Sequence, residues 1–237
     1  MNKKLKVSLI IFCVFAVIVG SLAIWQWKNI ESIYIGINET ESQIEKRRAD
    51  NQTSLISDIN NYLESPLRDM TPEEKTQVEK GEVSVTDIYT KMFEEKQEEV
   101  KITAESNPPP DIKKSKDESP KPSKDEIVSK YMIQLYTLQS EFTAKAETTI
   151  MQGESYYLNL RKTQDKTVAM ANTIKHFTPI VRSVEANCDS KVENVITNLE
   201  NELRDAKENT DITVAIRNTY KNEKQLKLSY YANKYLT

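Results

Sequence analysis

The stretch SKDEIVSKYMIQLYTLQSEFTAKAETTIMQGESYYLNL (Ser123–Leu160) has the clearest pattern in the sequence. Its apolar and small residues recur every three or four positions, the spacing that places side chains on one face of an α-helix. This stripe consists of Val128, Tyr131, Leu135, Leu138, Phe142, Ala146, Ile150, Gly153, Tyr157 and Leu160. Ser123 and Glu126 have the spacing of a capping box. We therefore predict one long amphipathic helix that begins just after Ser123.

Two further amphipathic stretches follow, and Asn209-Thr210-Asp211 separates them. Thr163 is predicted to cap the first, and Thr178-Pro179 is predicted to restart or kink it. The first stripe consists of Val168, Ala171, Ile174, Phe177, Val181, Val184, Cys188, Val192, Val195, Leu199 and Leu203. The second consists of Ile212, Ile216, Tyr220, Leu226, Tyr230 and Tyr231. Three long helices on short connections predict an antiparallel three-helix bundle over residues 125–237.

Helices are also predicted before this bundle, over residues 28–105. The first extends to Pro66, with Gly36 as its weakest point. Thr71-Pro72 begins a short second helix, because threonine caps helices and proline favours the first helical position. That helix is predicted to stop near Gly81, and Thr86-Asp87 is predicted to open the next. The chain has only four glycines and 29% charged residues, a composition typical of long helices rather than of sheets. The fold class is therefore all-α.

A proline- and lysine-rich segment, residues 106–124, separates the two helical regions. It contains five of the eight prolines and a single aliphatic residue, Ile112. Such a segment buries too little apolar surface to offset the entropy of ordering. We predict a disordered linker between a membrane-proximal region and a distal domain.

An uncharged apolar stretch near the N-terminus, Val7–Trp27, is long enough to cross a bilayer as a helix. Lys3, Lys4 and Lys6 precede it, which predicts a cytoplasmic tail of residues 1–6 and an extracytoplasmic remainder. Cleavage as a secretory signal after Ala23 is the alternative, although the apolar run is longer than a usual signal core. We expect a single-pass protein of the cell membrane.

The charge balance limits the possible partners. Removing the three N-terminal lysines from a net charge of −3 leaves the remainder at about −6. A nucleic-acid-binding surface needs a basic face, so no nucleic-acid partner is expected. No cofactor or metal site is predicted, since the chain has one histidine, His176, and two cysteines. The acids Glu94, Glu95, Glu98 and Glu99 are interpreted as a solvated face.

A few residues are candidates for binding. Cys188 lies on an apolar stripe and is expected to be either a buried thiol or an intermolecular disulfide. The last helix carries a possible interaction surface of tyrosines, whose rings combine an apolar body with a polar tip. These tyrosines are Tyr220, Tyr230, Tyr231 and Tyr235. The distal domain is expected to be a monomer rather than a dimer.

Two resemblances accompany these patterns. LYTLQSEFTAKAE (Leu135–Glu147) and the run from Glu185 to Tyr235 resemble the C-terminal helical module of exported, membrane-anchored proteins of uncharacterised function in Firmicutes. This resemblance implies a bacterial origin and a helical bundle. SQIEKRRAD (Ser42–Asp50), close after an apolar segment, is similar to the first helix of LemA-type membrane proteins.

The sequence favours a non-enzymatic interaction or scaffold protein of the cell envelope that is anchored in the membrane. An accessory sensor subunit is one alternative, and it would need a partner membrane protein to carry its signal. A cell-envelope enzyme is a second alternative, and it would need a cleft with convergent polar groups.

Overall fold

The computed structural model describes the backbone of residues 27–106 and 122–236, and this part of the chain is all-α. Its seven helices are α1 Trp27–Asn38, α2 Glu41–Tyr62, α3 Pro72–Glu79, α4 Val85–Ser106, α5 Lys124–Leu160, α6 Lys166–Asp205 and α7 Ile212–Leu236. The predicted tail, almost all of the predicted span and most of the predicted linker lie outside the described residues. Within them, no helix combines the length and apolar character that crossing a bilayer requires.

The described residues form two compact units. The first unit contains residues 27–51, 144–186 and 219–236, and the second contains residues 52–106, 122–143 and 187–218. Each unit therefore combines residues from both sides of segment 106–124, where the sequence pattern predicts a boundary.

Two helix starts follow the predicted capping boxes. At α5, the Ser123 N–H donates to the Glu126 carboxylate at 2.7 Å, and the Glu126 N–H donates to the Ser123 hydroxyl at 3.2 Å. At α3, Thr71 and Glu74 make the same reciprocal pair, and Pro72 occupies the first helical position. Each box satisfies amide groups that have no partner inside the helix.

Two other predicted helix starts are wrong, and one of the two alternatives predicted at Thr178-Pro179 is excluded. Helix α4 begins at Val85 rather than at Thr86-Asp87, because the Ser84 hydroxyl accepts a hydrogen bond from the Asp87 N–H. Helix α6 is capped by Asp165 rather than Thr163, since its carboxylate accepts the N–H groups of the two residues that follow Lys166. The predicted restart at Pro179 is absent, and α6 is one continuous helix from Lys166 to Asp205.

Gly36 is not the weak point of the first helical stretch. It lies inside α1, and the chain leaves the helix at Glu39–Thr40 instead. Thr40 and Gln43 form a third capping box at the start of α2, with a 2.8 Å bond from the Thr40 N–H to the Gln43 side chain. The reciprocal hydrogen bonds between Thr40 and Gln43 thus mark the point where the helix breaks.

Gly36 is instead the closest contact between α1 and α7 in the first unit. A Cβ at this position would lie 2.4 Å from the carbonyl oxygen of Ser229 and 2.7 Å from the Cβ of Ala232. The Asn233 amide donates to the carbonyl oxygens of Gly36 and Glu39, at 2.9 and 2.8 Å. One side chain of α7 therefore caps the C-terminal end of α1, and only glycine leaves room for that approach.

The second unit contains most of the buried apolar side chains. Among described residues, 20 of the 24 buried apolar side chains belong to it. The first half of α5 buries Ile127 and Met132 in addition to the predicted Val128 and Tyr131. The buried face is wider than one stripe because this part of α5 contacts α4, α6 and the residues that follow α2 within the unit.

A buried ion pair joins three segments of the second unit. Lys96 of α4 lies 3.1 Å from the Asp125 carboxylate at the start of α5, and both side chains are less than a tenth exposed. The same carboxylate accepts the N–H groups of Glu64 and Ser65, which follow α2, at 2.9 and 3.0 Å. The carboxylate thus offsets its loss of water with three polar contacts.

Ion pairs show that neighbouring helices are antiparallel inside each unit. In the second unit, Lys130 and Glu141 of α5 contact Glu202 and Lys191 of α6, respectively. The residue numbers therefore decrease along α6 as they increase along α5. In the first unit, Arg48 contacts Glu223, and Gly36 contacts residues 229–233. The predicted antiparallel helical packing is confirmed.

A pair of glycine-to-alanine changes tests the close approach of α1 and α7. Gly36→Ala is expected to lower the free energy of unfolding by roughly 1–3 kcal/mol, because the new methyl group overlaps α7 backbone. Gly153→Ala is the matched control, since its Cβ would meet only the Phe177 ring at an ordinary 4.0 Å. That change should stabilise by about 0.5–1 kcal/mol through helix propensity. Urea unfolding of both variants measures the effect, and equal stabilisation by the two alanines would contradict the contact.

Candidate interaction surface

Two of the predicted tyrosines form a ring pair on α7. Tyr230 and Tyr231 lie with their ring centroids 5.5 Å apart at 73°, an edge-to-face arrangement. Both are half-buried. Tyr220, which lies nearer the N-terminal end of α7, is also half-buried. The side chain of Tyr235 lies outside the described residues. The predicted surface thus contains one tyrosine pair and one separate tyrosine.

Lysines surround this tyrosine pair. The Lys227 ammonium lies 5.8 Å from both ring centroids, and that of Lys234 lies 5.9 Å from the Tyr230 centroid. These distances are within the range of cation–π attraction. Burial and the positive charge of Arg48 lower the pKa of Lys227, while burial and a hydrogen bond to Glu41 raise the pKa of Tyr230.

An ion-pair cluster from α2 and α7 lies beside these lysines. The Arg48 guanidinium donates to Glu223 at 2.8 and 2.5 Å and to both carboxylate oxygens of Glu45 at 2.9 Å. Burial acts to lower the pKa of Arg48, but the charges and hydrogen bonds of the two glutamates outweigh it and raise the pKa. The cluster thus pairs this arginine with two carboxylates of its own chain through charge-assisted hydrogen bonds.

The remaining candidates lie in different surroundings. Cys188 is half-buried on α6, in the second unit. His176 is exposed in the first unit, and its ring stacks on Tyr156 at 4.7 Å and meets Phe177 edge-on at 5.1 Å. Aromatic rings provide no proton acceptor for the imidazole, so this geometry does not resemble an acid–base pair.

Glu95, one of the α4 acids, takes part in surface ion pairs. Glu95 contacts Arg68 at 3.0 Å and Lys91 at 3.7 Å. Across the described ranges, no group of three or more histidine, cysteine, aspartate or glutamate side chains is placed to hold a metal ion.

Exposed apolar side chains are concentrated in the first unit. Nine of the ten large apolar side chains that are exposed among the described residues belong to it, and only Val214 belongs to the second unit. The nine are Tyr34, Ile37, Met151, Leu158, Val168, Met170, Ile180, Val181 and Leu228. Clustered exposed apolar groups mark interaction sites more often than single ones. This is the strongest candidate surface in the described part of the chain.

Several of these residues were predicted to be buried. Val168, Ala171 and Val181 belong to the stripe that the sequence predicts for α6, but all three are exposed. The buried residue in this part of the helix is Ala169, and Ile174 and Phe177 are half-buried beside it. The helical period is present in the sequence, but it does not reveal which apolar face another helix covers.

The ion-pair cluster around Arg48 was also missed by sequence reasoning. The run EKRRAD, from Glu45 to Asp50, reads as a solvated charged face. The only signal in the sequence is that this run contains both positive and negative charges. That signal does not identify Glu223 as a partner of Arg48.

The sequence matches no protein-family model, no curated protein and no solved structure. The resemblances to exported Firmicutes proteins and to LemA-type proteins therefore stay predictions.

Neighbouring arginines of α2 provide a test of the cluster. Arg48→Met should lower the free energy of unfolding by roughly 2–4 kcal/mol, because it leaves the Glu223 carboxylate buried without its cation. Arg47→Met is the control: this side chain is 54% exposed, against 17% for Arg48, and pairs with Glu39 on the surface. Its loss should cost less than about 1 kcal/mol. Thermal or urea unfolding gives both values, and similar costs for the two changes would show that the cluster is not buried in solution.

Proposed function

We propose that this chain is a membrane-anchored, extracytoplasmic interaction or scaffold protein of the cell envelope, without catalytic chemistry of its own. The carrying observation is the concentration of exposed apolar side chains on α5 and α6 in the first unit. The anchor is supported by the uncharged stretch Val7–Trp27 and the three lysines before it.

The contrast between the two units supports an interaction role. The second unit buries most of its apolar residues and contains the buried Lys96–Asp125 pair. These interactions stabilise the fold of the unit itself. The first unit leaves Met151 and Leu158 exposed two turns apart on one helix face. Burying such groups against a partner is worth on the order of 1.5–3 kcal/mol for each large side chain. A helical surface of this kind suits association with another helix.

A membrane-impermeant photocrosslinker attached to an engineered cysteine tests the site and the location together. Leu158→Cys and Val214→Cys are a matched pair in a Cys188→Ser background, because Leu158 and Val214 are 63% and 56% exposed. We expect the reagent to label both cysteines on intact cells, because both lie beyond the predicted span. After illumination, only the label at residue 158 should form a protein adduct.

The failures of this experiment are separable. Absence of labelling at both cysteines in intact cells, with labelling after lysis, would contradict the extracytoplasmic location. Labelling without an adduct at residue 158, or equal adducts at both positions, would contradict the interaction surface.

A further inference from the structure

Two exposed faces of the first unit have residues that recur at seven-residue intervals. On α5, the outer stripe consists of Ala144, Glu147, Met151, Glu154 and Leu158, spaced three and four residues apart. On α6, the outer stripe consists of Val168, Ala171, Lys175, Pro179, Arg182 and Ala186. All of these residues are exposed. Heptad spacing is the pattern by which helices pack along a continuous seam.

The charges of the two stripes are opposite and equally spaced. Glu147 and Glu154 are seven residues apart on α5, and Lys175 and Arg182 are seven residues apart on α6. None of the four forms an ion pair within the described part of the chain. Other charges of the same two helices do so, for example Glu185 with Lys224 and Glu141 with Lys191. Glu147 acts on Lys227 of α7 only through its charge. Across the described residues, the two stripes therefore carry complementary charges that no ion pair neutralises.

We propose that the outer stripes bind a second copy of this chain, with α5 of each copy against α6 of the other. In an antiparallel register, Glu147 faces Arg182 of the second copy and Glu154 faces its Lys175. The same register places Leu158 against Ala171, next to Val168. Ion pairs at the flanks of an apolar seam fix partner choice and register in such assemblies.

The charges of the two stripes favour a second copy of this chain as the binding partner. Each chain carries both the acidic and the basic stripe, so a two-fold axis forms both contacts at once and closes the assembly. Alanines in the two stripes allow the helices to approach closely, as small residues do at helix seams. The sequence alone favours a monomer, because it predicts Val168 and Ala171 to be buried within the chain. The inference rests on the proposed function in that it names a partner for the same surface, but it does not depend on the anchor.

Charge reversal on the full-length protein in detergent tests the pairing. Variant X, Glu147→Lys with Glu154→Lys, has two basic stripes, and variant Y, Lys175→Glu with Arg182→Glu, has two acidic stripes. Sedimentation should show a dimer for the wild-type chain and at least about tenfold weaker self-association for X and for Y alone, because like charges then oppose each other. An equimolar mixture of X and Y should restore the dimer as a heterodimer.

The control alters the charge at the same number of positions off the stripes, with Gln152→Lys and Lys166→Glu, at residues that are exposed on the same helices. It should dimerise like the wild-type chain, and circular dichroism should show unchanged helix content in every variant. A monomeric wild-type chain, dimers of X and Y that persist, or a mixture that stays monomeric would each overturn the inference. A monomeric wild-type chain that still forms an adduct from residue 158 with a different protein would retain the proposed function and exclude self-association.

Discussion

The second unit depends on one buried carboxylate. Asp125 stands in the first turn of α5, where an acidic side chain is already favoured by the helix dipole. It also accepts Lys96 of α4 and two backbone N–H groups after α2. Those amides follow the last turn of α2, so the carboxylate gives them an acceptor where the helical pattern has ended. One side chain therefore fixes the end of one helix, the start of another and the position of a third.

The two units use their apolar residues differently. In the second unit, the start of α5 contacts α4, α6 and the residues that follow α2, and residues on several of its faces are buried. In the first unit, α1 and α7 approach through Gly36, Ser229 and Ala232, which contribute little apolar area. Its larger apolar side chains on α5 and α6 remain on the surface instead. The first unit thus packs small residues between α1 and α7 and exposes larger apolar residues on α5 and α6. Exposed apolar residues of this kind favour association with another surface.

Local chemistry was predictable from the sequence, but the pairing of distant faces was not. The boxes at Ser123 and Thr71 involve residues three apart, so sequence alone identifies them. The box at Thr40 has the same spacing and was overlooked because Gly36 appeared to explain the break. Asp125 lies between the two members of the Ser123–Glu126 box, and this position in the sequence does not indicate a contact with Lys96. Of the α6 stripe, Val192, Leu199 and Leu203 are buried, whereas Val168, Ala171 and Val181 are exposed, because a helical period does not specify which part of a face another helix covers.

The most direct measurement of the central claim is a double-mutant cycle on the buried pair, using Lys96→Met and Asp125→Asn. Asparagine keeps an oxygen for one backbone N–H, so the cycle isolates the charge pair from much of the capping role. Each single change should lower the free energy of unfolding by roughly 3–5 kcal/mol, because it leaves an uncompensated buried charge. The double change should cost about 2 kcal/mol or more less than the sum of the single changes. Additivity within about 0.5 kcal/mol would contradict the account, since independent sites add in this way.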